Sequence, residues 1–62
     1  MDINESPVED LIKIKHIGTR RATLIIQRRN ETKFRDLYEL SVIPGLGKSR
    51  INDIVDQGLA KV

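Results

Sequence analysis

The chain has 62 residues, about the lower size limit for one self-supporting domain. It has no cysteine, so disulfides, thiolate metal sites and any redox signal are excluded. Eleven Lys and Arg against nine Asp and Glu leave a net charge of +2, and no apolar run is long enough for a signal peptide or a membrane span.

In chain order, Met1 to Glu5 reads as a polar lead-in. Ser6-Pro7-Val8-Glu9 then supplies a cap residue, a proline at the first helical position and a glutamate at the third. With Val8, Leu11 and Ile12 at helical spacing, a first helix is expected over roughly 7–14. A turn at Ile17-Gly18 follows, with Thr19 as the cap of a second helix ending near Asn30. Ala22, Ile25, Ile26 and the stem of Arg29 form its inward stripe. Asn30 to Lys33 is a short connection anchored by Phe34. Residues 35–40 give a short third helix with Leu37 and Leu40 inward. A fourth helix is expected from Lys48 to Gln57, with Ile51, Ile54 and Val55 inward. Gly58 reads as its left-handed stop and Leu59 as the apolar contact after it. No alternating β-branched run suggests a strand.

The chain repeats itself. Gly18 and Gly47 lie 47 − 18 = 29 residues apart. At that offset Leu11 falls on Leu40, Ile14 on Ile43, Ile17 on Leu46, Arg21 on Arg50 and Ala22 on Ile51. Two such copies make a pair of helix–tight turn–helix units. The fold expected is all-α, one compact domain of four to five helices, with a first hairpin motif at about 7–30 and a second at about 36–57.

Both turns share a grammar suited to an anion. Gly45-Leu46-Gly47 allows a tight turn in which the leucine points inward and the backbone N–H groups outward. Lys48, Ser49 and Arg50 then open a helix, where unpaired N–H groups and the macrodipole favour negative charge. Lys15, His16, Ile17, Gly18, Thr19, Arg20 and Arg21 repeat the arrangement. The plainer reading of each turn is a loop between helices. That reading does not account for basic residues at both helix starts. Between Lys13 and Arg35 there are eight Lys and Arg and one acid, Glu31, while most of the other acids lie near the ends of the chain. A one-sided basic patch follows.

Other chemistries lack residues. Gly47-Lys48-Ser49 is not a nucleotide phosphate loop, since Val42 stands where a glycine is needed and a helix, not a strand, leads in. His16 is the only histidine and has no nucleophile or metal partner. It reads as an exposed turn residue that touches an anion from its edge. Ser6, Ser41 and Ser49 have no base, and Glu9 and Asp10, being adjacent on a helix, do not face each other. No enzyme is expected, nor a small-molecule substrate. Phe34 and Tyr38 are too few for a base-stacking platform. Arg28-Arg29 reads as a solvated helix end, with Arg29 packing through its stem.

These residues resemble the tandem helix-hairpin-helix domain of the bacterial competence DNA receptor type. The likeness runs through INESPVEDLIKIKHIGTRRATLIIQRR and TKFRDLYELSVIPGLGKSR, nearly the whole chain. Lys15-His16 stand where that pattern has proline and glycine, and the turn before Phe34 is shortened and lacks its glycine. A similarly altered first hairpin occurs in the tails of chromosome-binding kinesins, which the chain resembles about as closely. The resemblance implies a monomeric module that binds double-stranded DNA without sequence preference, using hairpin amides on phosphates. Those amides would be Ile17, Gly18, Thr19, Leu46, Gly47 and Lys48. It also implies a monovalent cation held, in some members, by hairpin carbonyls, and a larger host protein. The kinesin likeness implies a chromosomal, nuclear location. The rival function is a protein-interaction module of the same fold, for which Leu24 and Leu59 would be spare apolar surface.

Overall fold

In the computed structural model, which describes all of residues 1–62, three α-helices and one 3-10 helix follow one another without a strand. They are α1 (Val8–Leu11), α2 (Thr19–Glu31), the 3-10 helix (Leu37–Val42) and α3 (Lys48–Gln57). The chain folds into 25 × 20 × 19 Å. Helix α1 packs on α2 and the 3-10 helix on α3, so each hairpin unit pairs its own two helices.

The 29-residue repeat is present in the hydrogen bonds. In the first unit Ile14 N–H donates to Leu11 O, Ile17 N–H to Ile14 O and Ala22 N–H to Gly18 O, at 3.0, 3.0 and 2.9 Å. In the second, Ile43 N–H donates to Leu40 O, Leu46 N–H to Ile43 O and Ile51 N–H to Gly47 O, at 2.9, 3.1 and 3.0 Å. The backbone winds through both turns in the same way, and the same positions are buried. Leu11, Ile14, Ile17, Ala22 and Ile25 face Leu40, Ile43, Leu46, Ile51 and Ile54 in one core. Burying each large aliphatic side chain stabilises the fold by about 1.5–3 kcal/mol.

Several sequence expectations are corrected. Helix α1 is a single turn ending at Leu11, because the chain bends at once into the hairpin, and Pro7 rather than Ser6 occupies its cap. Ser6 Oγ instead donates to Asp2 O at 2.8 Å. The lead-in is part of the core: Ile3 is fully buried, and a parallel bridge joins Asp2 to Lys61. On α2, Gly18 is the cap and Thr19 the first helical residue. The third element is a 3-10 helix shifted two residues later, to Leu37–Val42, and capped by Asp36, whose carboxylate accepts from Tyr38 N–H and Glu39 N–H. Helix α3 and its left-handed stop at Gly58 (φ 74°) lie where expected. Val55 and Leu59 do not bury, at 39% and 37% exposure; Ile51 and Ile54 fill the inward stripe, and Ala60 reaches the core in place of Leu59.

One side chain holds the connection between the units. Asn4 Oδ1 accepts from Phe34 N–H at 2.8 Å and its Nδ2 donates to Phe34 O at 3.0 Å. Phe34 is buried, so removing both bonds leaves two backbone groups poorly satisfied. Asn4→Ala should destabilise the fold by about 1–3 kcal/mol in urea unfolding, with Asn4→Asp in between. An unchanged midpoint for Asn4→Ala would show that the bracket contributes nothing.

Candidate nucleic-acid interface

Helices α2 and α3 both begin at the outer end of a hairpin. Gly18 and Gly47 are their caps, in extended backbone (φ −100° and −77°), and neither helix has a side-chain cap or an acid in its first turn. The first intrahelical bonds are those of Ala22 and Ile51. The N–H groups of Gly18, Thr19, Arg20 and Arg21, and of Gly47, Lys48, Ser49 and Arg50, therefore have no acceptor within the protein. The fold itself does not require glycine at either cap. Both have ordinary φ, and a Cβ on either would meet nothing within 4 Å. Open space over unpaired amides is what a close external acceptor needs.

This geometry revises the amide set. Ile17 and Leu46 are buried, and their N–H groups already serve the hairpin turns. The outward donors lie one to four residues further on, in the first helical turn.

The turn apex is held differently in the two units. Gly45 has φ 87°, and the residue 29 positions earlier, His16, has φ 68°. The altered first hairpin thus keeps the left-handed bend, on one of the non-glycine residues that adopts it most readily. His16 is half-buried rather than exposed, and its Nε2 lies 2.9 Å from Asp53 Oδ2 on α3. The His16 hydrogen bond holds the Asp53 carboxyl below its ordinary pKa; desolvation opposes this, and the charges of Lys15 and His16 add to it. The stability gained is present above the ordinary carboxylate range and is lost as pH falls through the lowered value. Gln57 braces the same turn, accepting from Lys15 N–H at 2.9 Å and donating to Lys13 O at 3.2 Å.

The basic residues separate into two groups. Arg21 Nη1 donates to His16 O at 2.8 Å, and Arg50 Nη1 makes the repeat-equivalent bond to Gly45 O at 2.7 Å. Arg21 Nε also reaches Pro44 O, at 3.2 Å. Guanidinium groups thus donate to three carbonyls of the two turns. Arg29 Nη1 donates to Ile3 O and Ser6 O, so its head as well as its stem is structural. Arg28 lies over the Phe34 ring, 5.7 Å from its centre, and bonds Thr32 O. Lys13 pairs with Asp10. The side chains of Lys15, Arg20, Lys33, Arg35, Lys48 and Lys61 are exposed with no hydrogen bond or ion pair; of these Arg20 and Lys48 lie in the two first turns, where Ser49 is exposed as well. Sequence position alone could not divide Arg20 from Arg21.

The profile of the helix-hairpin-helix motif family matches residues 1–57. The chain belongs to that family, and its all-helical fold of two hairpin units agrees. The kinesin-like protein KIN-10C of Arabidopsis thaliana is 35% identical over 60 residues, covering 97% of this chain and 8% of that protein. The chain thus spans a small part of the relative it matches. No solved structure matches. No helix is long and apolar enough to cross a membrane.

Proposed function

We propose that the chain is a sequence-independent DNA-binding module, not an enzyme, that holds duplex phosphates at the two uncapped helix starts. The observation that carries this reading is the pair of repeat-equivalent glycines, Gly18 and Gly47, each opening space over four unpaired amides. Arg20, Lys48 and Ser49, in those first turns, add charge and a hydroxyl donor, and Lys15 precedes the first hairpin's turn. Phosphate contacts position a protein on DNA but carry no base information. Alone, the module should bind with Kd of about 10⁻⁴–10⁻⁶ M at physiological salt. Tethering to another domain would raise the working affinity. Fluorescence anisotropy on unrelated duplexes tests this: similar Kd values are expected, and a tenfold preference for one sequence would overturn the proposal.

The protein-interaction reading keeps specific support: Tyr38 and Val42 are each 52% exposed on the 3-10 helix, and Leu59 stays exposed after α3. Leu24, by contrast, packs against the core. Amide shift mapping separates the readings: DNA should perturb 18–21 and 47–50, a protein partner 38–42.

A further inference from the structure

Arg21 and Arg50 are repeat-equivalent and make the same bond to the left-handed residue of their own turn, but only Arg21 goes further. Its Nε donates to Pro44 O in the opposite hairpin, while its Nη1 holds His16 O in its own. One planar group thus ties the apex of one turn to the apex of the other. The same placement brings the guanidinium close over Gly45, where a Cβ would meet it. Gly45 is held to glycine by its positive φ, while the arginine end over it can shift aside. The repeat-equivalent of Pro44 is Lys15, and Arg50 makes no bond to it. The tie is one-sided. No other side chain bonds both turns; His16 and Gln57 bond the first turn to the far part of α3.

We infer that Arg21 is a positioning residue for DNA binding: it fixes the two hairpins relative to each other so that both amide sets meet one duplex together. This rests on the DNA-binding reading above. Two weak sites on a rigid frame gain from the second contact being intramolecular, and the gain disappears when geometry no longer permits both at once. The charge of Arg21 is not the essential property. Its planar fork serves two carbonyls in different directions, which a lysine ammonium on a flexible stem does not reproduce.

The test is Arg21→Lys, which keeps the charge, beside Arg21→Met, which keeps only the stem, and Arg35→Lys, at an exposed side chain away from both hairpin turns, as a control. In the free protein, Arg21→Lys should move the amide signals of residues 45–47, with circular dichroism unchanged. On a mixed-sequence duplex it should weaken binding about tenfold, within the usual range of coupling between sites. The dependence on salt should stay as in the native chain, and Arg35→Lys should bind normally. Gly47→Val should also cost less affinity in the Arg21→Lys background than in the native one, because the hairpins no longer act together. If Arg21→Lys binds like the native chain while Arg21→Met does not, Arg21 is a phosphate-binding charge and the positioning role is wrong. Signals of 45–47 left in place by Arg21→Lys would overturn it too, whether or not DNA binds. A native chain that binds no duplex, with those signals moved by Arg21→Lys, would overturn the DNA role of Arg21 through failure of the DNA-binding reading, while leaving the turn-to-turn tie intact.

Discussion

Gly47→Asp should leave the fold as stable as before, or slightly more so, and should abolish measurable duplex binding. The two effects have opposite signs because one set of amides serves both. Gly47 lies at the cap of α3 with φ −77° and ψ 174°, a conformation any residue adopts, and its Cβ position is open. An aspartate there can accept from the N–H groups of the first turn. The chain already contains that arrangement at Asp36, whose Oδ1 accepts from Tyr38 N–H at 2.9 Å and Glu39 N–H at 3.2 Å. Replacing a glycine cap by aspartate is worth a few tenths of a kcal/mol, and the helix dipole adds about 0.3–1 kcal/mol at low salt. Thermal unfolding should therefore show an equal or raised midpoint. For a phosphate, the same carboxylate removes the donors and puts a negative charge in their place. Gly18→Asp should behave alike at the first hairpin. If Gly47→Asp folds well and binds DNA undiminished, amides at that hairpin do not hold phosphate.

The two turns are legible in the sequence because the 29-residue offset carries both the apolar positions and the glycines, and the backbone follows that register bond for bond. Helix α3 is legible for a related reason: Gly47 and Gly58 mark both of its ends. What escapes the sequence is whatever depends on a partner distant in the chain. Ile3 is one apolar residue among polar ones, so no periodicity marks it as core, yet it is fully buried beside the bridge from Asp2 to Lys61. Asn4 looks like a surface residue and in fact brackets Phe34, 30 residues away. His16 has a non-glycine at a left-handed apex, which its ring contact with Asp53 and the Arg21 bond to its carbonyl both support. The basic patch is thinner than its count suggests. Arg21, Arg28, Arg29 and Arg50 fold back on the protein, and a long flexible cation gives no sign in sequence of which way it turns.

That division of the cations sets the expected salt dependence. Arg20 and Lys48 are exposed, lie in the first turns of α2 and α3, and have no hydrogen bond or ion pair of their own. Reversing both charges, Arg20→Glu with Lys48→Glu, should weaken duplex binding steeply at low salt. Each phosphate that is no longer neutralised should lower the slope of log K against log salt by about 0.9, so two such phosphates lower it by about 1.8. Stability should hold or rise slightly, because neither side chain packs on the core and a glutamate in a first helical turn favours the dipole. Gly47→Val supplies the contrast: it adds no charge and suits the extended backbone at that cap, so affinity should fall while the slope stays close to native. The measurement is anisotropy across a salt series for the native chain and both variants. A native slope in the doubly reversed protein would mean that other cations, Lys15 first among them, neutralise the phosphates instead.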